Sequence, residues 1–83
     1  MSQDRLSDAT LPFSVGDTEF RCWIVGGGQQ YEWRSTCGRL RAGRNRGSST
    51  CWASCDGPLV RADYDNLRGA MIAATLARRR AAA

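Results

Sequence analysis

The stretch TEFRCWIVGGGQQYEWRSTC, residues 18–37, decides the fold of this chain. Its first eight residues are rich in β-branched and aromatic side chains and predict a strand over residues 18–25. Gly26 to Gln29 come next, and because glycine adopts positive φ at little cost, they predict the connection of a hairpin. Residues 30–37 return to strand-forming composition. The stretch therefore predicts two antiparallel strands joined by a four-residue loop.

A four-residue loop pairs Val25 with Gln30, and the alternation of side chains then divides the sheet into two faces. One face is apolar and is expected to lie under a helix: Phe20, Cys22, Ile24, Tyr31, Trp33, Cys37, Cys51, Ala53 and Cys55. The opposite face mixes arginine, tryptophan and hydroxyl groups: Arg21, Trp23, Val25, Glu32, Arg34, Thr36, Thr50, Trp52 and Ser54. A loop one residue longer or shorter exchanges the two faces of a strand, so the assignment depends on the register.

The remaining segments complete a β-β-β-α order. Residues 38–47 contain four arginines and three glycines without a sustained period, which predicts a mobile basic loop. Residues 48–55 have strand composition and end at Asp56-Gly57-Pro58, a strong turn signal. From Arg61 onward the spacing of apolar residues indicates a C-terminal helix of about 16 residues. Asp63 and Asp65 at its start and three arginines at its end suit the helix dipole.

The predicted fold class is therefore α+β: a three-stranded antiparallel sheet with one C-terminal helix packed on one face. Residues 1–10 are polar and unpatterned and are expected to be a flexible tail. Residues 11–80 form the single domain, and residues 81–83 are expected to be disordered. One helix covers one face of a sheet, so the tryptophan and arginine face is expected to remain open.

The formal charge of +4 is unevenly distributed. Residues 21–46 carry six arginines and a single acidic residue, Glu32, and a second basic run lies at Arg78-Arg79-Arg80. All 12 basic residues are arginine, whose guanidinium group makes bidentate contacts with phosphate or carboxylate. This distribution indicates an anionic partner, either a nucleic acid or an acidic protein surface, although a solvated charged surface has the same composition.

No pattern in the sequence predicts catalysis, a cofactor or a metal site. Histidine, the commonest general base, is absent, and the acidic residues form no evident pair. The four cysteines include no Cys-x-x-Cys pair, and in an extended strand Cys51 and Cys55 lie roughly 13 Å apart, too far to share a metal or a disulfide. A turn at residues 52–54 is the alternative that would restore a metal site. The cysteines are expected to act as small apolar residues in a reducing cytoplasm.

The open face and the basic loop are the predicted partner-binding site, because tryptophan and arginine dominate contact energies. Its residues are Arg21, Trp23, Arg34, Trp52, Arg39, Arg41, Arg44 and Arg46. Two functions compete: a non-enzymatic protein that binds a protein complex with an acidic surface, and a DNA- or RNA-binding protein whose arginines contact phosphates. A third possibility is that a second copy of the chain covers the open face as a homodimer. No apolar stretch approaches the roughly 20 residues that span a bilayer, so no membrane partner is expected.

In overall layout the chain resembles anti-CRISPR proteins and other small accessory proteins of phages and mobile elements. The likeness covers size and single-domain organisation along the whole chain. It includes no diagnostic motif, so no functional residue of the family can be assigned to a position in this sequence. It implies a non-enzymatic inhibitor that occludes a surface of a bacterial defence complex. Anti-CRISPR proteins that imitate DNA are acidic, whereas this chain is basic, so the likeness implies an acidic protein surface or a nucleic acid as the target. The strand-strand-strand-helix order is also similar to that of the arm-binding DNA domains of phage integrases.

Overall fold

A computed structural model describes residues 4–26 and 30–82 and shows one sheet covered on one face by a C-terminal helix. The strands are β1 (Arg5–Leu6), β2 (Phe13–Val15), β3 (Thr18–Val25), β4 (Gln30–Ser35), β5 (Leu40–Arg44), β6 (Cys51–Cys55) and β7 (Leu59–Tyr64). The helix is α1 (Leu67–Ala82). The sheet order is β1-β3-β4-β5-β6-β7, with β2 also paired to β3, and all pairings are antiparallel.

The register predicted for the first hairpin is confirmed. Val25 pairs with Gln30, Cys22 with Trp33, and Phe20 with Ser35 across β3 and β4. Gly26 has the positive φ of 64° that the end of the strand requires. The predicted loop residues 27–29 lie outside the described part of the chain. Because the register holds, the two faces of this hairpin are those that the sequence predicts.

The prediction of three strands is wrong, since the sheet contains seven. The largest correction concerns residues 38–47, which were expected to form a mobile loop. Leu40 and Ala42 are buried in the core while Arg41 between them is exposed, so the side chains alternate with a period of two although arginine and glycine dominate the composition. The resulting strand, β5, lies between the hairpin and β6, which the sequence placed next to each other.

Two further strands lie in segments that were predicted to be a flexible tail and the start of the helix. Arg5 and Leu6, in the segment expected to be a flexible tail, pair with Ile24 and Trp23 of β3. At the other end of the domain, residues 59–64 form β7, so Tyr64 belongs to a strand and not to the helix. Because Asp56 and Gly57 both have positive φ (56° and 106°), the turn signal at this position closes a tight hairpin between β6 and β7.

The helix begins later than predicted but has the expected length of 16 residues. The side chain of Asn66 accepts a hydrogen bond from the backbone N–H of Gly69 at 2.8 Å, which caps the first turn. The helix continues to Ala82, through two of the three residues expected to be disordered. It packs on β5, β6 and β7 and touches β2. No helix among the described residues is long and apolar enough to cross a membrane.

The core lies between α1 and the face of the sheet that the sequence assigned to it. Its buried members are Phe20, Leu40, Ala42, Cys51, Ala53, Ala70, Met71 and Ala74. Two of the predicted members lie elsewhere: Tyr31 is 60% exposed, and Cys37 is exposed in the turn after β4. Tyr31 lies near the loop end of the first hairpin, away from the strands on which α1 packs, whereas Cys37 is exposed because it lies in a turn beyond the end of β4.

Candidate functional site

The face of the sheet opposite α1 carries two rows of side chains that cross the strands, and we call it the open face. The first row consists of Trp23, Glu32, Gly43 and Trp52, each opposite the next in the ladder. The second row consists of Arg21, Arg34, Arg41, Ser54 and Leu59. Five of the eight residues predicted to bind a partner therefore belong to these two rows: Arg21, Trp23, Arg34, Arg41 and Trp52.

The two tryptophans are held flat against the open face by different neighbours. Trp52 lies over Gly43, where an added Cβ would come within 2.8 Å of the indole, so this glycine makes room for the ring. Trp23 lies beneath the guanidinium of Arg34, whose Cζ is 5.2 Å from the ring centroid, a cation–π distance. Both indoles are half-buried. They thus present apolar surface to solvent in fixed orientations.

Glu32 is the buried centre of an ion network on the open face. One carboxylate oxygen accepts a hydrogen bond from Arg34 at 3.1 Å, and the other lies 3.7 Å from Arg41. Arg34 also donates to Asp4 at 2.7 Å, across 30 residues of sequence. Burial disfavours the charged form of Arg34, but the two carboxylates outweigh it and raise the pKa of the guanidinium. The network therefore fixes Arg34 in place over Trp23.

A cleft of about 620 Å³ opens beside Trp52 at the β5, β6 and β7 end of the open face. Its lining consists of Gly38, Arg39, Arg41, Trp52, Ser54, Asp56, Gly57 and Leu59. Arg39 lies 3.4 Å from Asp56 and its side chain is 61% exposed. Leu59 is 61% exposed as well. The cleft thus combines one indole, one aliphatic side chain, two exposed guanidinium groups and the carboxylate of Asp56.

Of the three predicted binding residues outside the two rows, Arg39 lines the cleft, whereas Arg44 and Arg46 do not belong to the open face. Arg44 follows Ala42 in the alternation of β5 and so lies on the side of the sheet that α1 covers. Arg46 lies in the turn between β5 and β6. Conversely, no sequence pattern predicted a role in this site for Asp4, Asp56 or Leu59. Glu32 was on the predicted face, but nothing in the sequence shows which arginines it pairs with.

The cysteines do not form a metal site among the described residues, where no cluster of metal-binding side chains is present. Cys22 and Cys51 are buried, Cys55 is half-buried, and all four thiols are free. Cys37 differs from the others because its sulfur lies 3.2 Å from the hydroxyl of Ser35 and accepts a hydrogen bond from Arg78 at 3.0 Å. The Ser35 hydroxyl, the backbone N–H of Arg39 and the Arg78 guanidinium together lower the pKa of the Cys37 thiol.

Cys37 is therefore expected to react fastest with iodoacetamide near neutral pH, because a lowered pKa raises the thiolate fraction at any given pH. Burial and the neighbouring Asp56 raise the pKa of Cys55, which should react later. Arg78→Gln should shift the midpoint of the Cys37 pH–rate curve upward, toward an ordinary thiol. Mass spectrometry of the alkylated peptides measures each rate. Earlier modification of Cys55, or an unchanged midpoint in Arg78→Gln, would contradict the assignment.

Comparisons with known proteins add no identification: no family model matches the chain, and neither the curated proteins nor the solved structures contain a match. The class that fold and site define is a small α+β protein with one open, tryptophan-bearing sheet face.

Proposed function

We propose that this protein is a non-enzymatic, stoichiometric binding protein whose open face docks on an acidic surface of a protein partner. The observation that carries the proposal is the row of Trp23 and Trp52 across a sheet face that α1 leaves uncovered. Tryptophan and arginine supply most of the binding energy in many interfaces. A preformed sheet adds little ordering cost on binding.

The charges of the open face favour a protein over a polyanion as the occupant of this site. Arg21 and Arg34 each have a carboxylate within about 3 Å, at 3.0 and 2.7 Å, so their charges are largely compensated. Arg39 and Arg41, however, are exposed and their ion pairs are long, 3.4 and 3.7 Å. Such pairs contribute little to stability and exchange readily for a partner's carboxylate. An acidic protrusion of a partner therefore suits the cleft beside Trp52.

Crosslinking tests this proposal at two positions on opposite sides of the molecule. Benzoylphenylalanine in place of Leu59, at the cleft, should give a discrete crosslinked protein in the bacterial host, and in place of Ile72, on α1, it should not. Adding Trp52→Ala should abolish the Leu59 product, whereas Tyr31→Ala, an exposed aromatic outside the open face, should not. A product from position 72 alone, or a dimer that buries Trp52 against a second copy, would contradict the proposal.

The kind of partner that we propose is a bacterial defence complex in the cytoplasm, where the four free cysteines stay reduced. The support is the small size, the absence of an evident catalytic group and the resemblance to anti-CRISPR proteins. Expression in a host with an active CRISPR system should restore plating of a targeted phage. Trp52→Ala should reduce this restoration, and Tyr31→Ala should leave it intact. Unchanged plating with the unmodified protein across the CRISPR types tested would refute this choice of partner.

A further inference from the structure

The arginines of this protein fall into two groups, according to whether a described carboxylate lies close enough to compensate the positive charge. Five of them form ion pairs within 4 Å: Arg21, Arg34, Arg39, Arg41 and Arg61. The other seven have no carboxylate at that distance among the described residues: Arg5, Arg44, Arg46, Arg68, Arg78, Arg79 and Arg80. Four of these seven belong to α1, which has no acidic residue. Uncompensated charge is therefore concentrated on the helix.

The outer side of α1 displays these charges along its length. Arg68, Arg79 and Arg80 are exposed, and the spacing between the first two corresponds to about 17 Å at 1.5 Å per residue. Between them lie Ile72 and Leu76, which are 38% and 42% exposed. Because the inner side of α1 packs on the sheet, this outer strip is the only side of the helix available for contact.

Two arginines of this strip contact the segment of residues 13–16. Arg68 lies over the ring of Phe13, with its Cζ 5.4 Å from the centroid, and Arg79 lies against Gly16. Both contacts are made by the guanidinium groups, which lie beside β2 and the turn after it, and neither contact supplies a negative charge. Asp63 precedes the helix but is already paired with Arg61 at 2.8 Å. Asp65 also precedes the helix, but α1 itself contains no acidic residue, so the charged side chains of the strip are all positive.

We propose that the outer strip of α1 binds the phosphodiester backbone of a nucleic acid. About 17 Å corresponds to five phosphate spacings of one strand, at 3.4 Å each along the duplex axis, a regular array of anions that three arginines can follow. Ile72 and Leu76 expose too little apolar area to anchor the strip in a hydrophobic groove or in a bilayer, so charge dominates the interaction. The strip lies on the side of the sheet opposite the open face, and both surfaces can be occupied together.

A salt titration with a fluorescein-labelled 20-base-pair duplex measures this interaction by anisotropy, with single-stranded DNA and RNA of the same length as further arms. Affinity should fall as the salt concentration rises. Since each phosphate contact contributes a slope of about −0.9, Arg79→Gln with Arg80→Gln should reduce the magnitude of the log–log slope by about 2. Glutamine keeps helix propensity, and circular dichroism verifies the fold of each variant.

The matched control is Arg5→Gln with Arg46→Gln, which removes two equally uncompensated charges from β1 and from the turn between β5 and β6, outside the strip. It should leave the slope unchanged, as should Trp52→Ala on the open face. Equal reductions of the slope in the helix variant and in the control would overturn the proposal, because they would show that binding depends on the net charge of the protein and not on the strip. Absence of binding to all three nucleic acids at 50 mM salt would overturn it as well. So would binding to polyglutamate or to phosphatidylglycerol vesicles with the same affinity as to the nucleic acids.

Discussion

Phe20→Ala is expected to lower the free energy of unfolding by about 3–5 kcal/mol. Phe20 is fully buried at the centre of β3, with Phe13 and Ser35 opposite it on the flanking strands. Removing a buried phenylalanine ring costs about 3–5 kcal/mol, and a chain of this size has a total stability of about 4–12 kcal/mol. One substitution thus removes a large part of the free energy of unfolding.

Urea denaturation followed by circular dichroism measures this loss. Leu59→Ala is the control, because Leu59 is 61% exposed and its truncation should change the free energy of unfolding by no more than about 0.5–1 kcal/mol. If Phe20→Ala unfolds at the same urea concentration as Leu59→Ala, the core does not lie between the sheet and α1 as described.

The second large effect is expected for Glu32→Ala, which removes the centre of the ion network on the open face. The side chains of Glu32 and Arg34 are only 12% and 18% exposed, so the guanidinium would keep Asp4 alone as its partner in a poorly solvated position. Breaking a buried pair in this way costs about 3 kcal/mol or more. Arg34 would also lose its fixed position over Trp23.

Glu19→Ala is the matched control, since Glu19 pairs with Arg21 at 3.0 Å but both side chains are well exposed. Its cost should be below about 1 kcal/mol. Urea midpoints measure both variants, and tryptophan fluorescence reports the release of Trp23. An equal effect of the two substitutions would show that the network on the open face is a solvated surface pair and does not hold the site together.

Part of this architecture was predictable because it rests on local patterns. The alternation in residues 18–25 and 30–35 and the glycines between them determine the register of the first hairpin, and with it the side to which Trp23 and Arg34 point. The strand β5 was not predictable in the same way. Arg41, Gly43 and Arg44 give its sequence the composition of a loop, and only two small or aliphatic positions, Leu40 and Ala42, carry the alternation.

The function of individual arginines was the least predictable feature. From composition alone, Arg34, Arg44 and Arg79 are equivalent charges in a basic protein. The fold separates them, because Asp4 approaches Arg34 from 30 residues away, while no described carboxylate comes within 4 Å of the other two. Whether a charge is compensated depends on contacts between distant segments, and no spacing rule encodes such contacts.

The sequence by itself determined the pairing of the first hairpin, the existence of the C-terminal helix and the placing of two indoles on one face, since these follow from periods of two and 3.6 residues. Only the tertiary structure decided that β5 enters the sheet, that Glu32 and Asp4 neutralise the open face, and that the uncompensated arginines gather on α1. The physical reason is that strand order and ion pairing are set by burial of a shared core, which joins segments that are far apart in the chain.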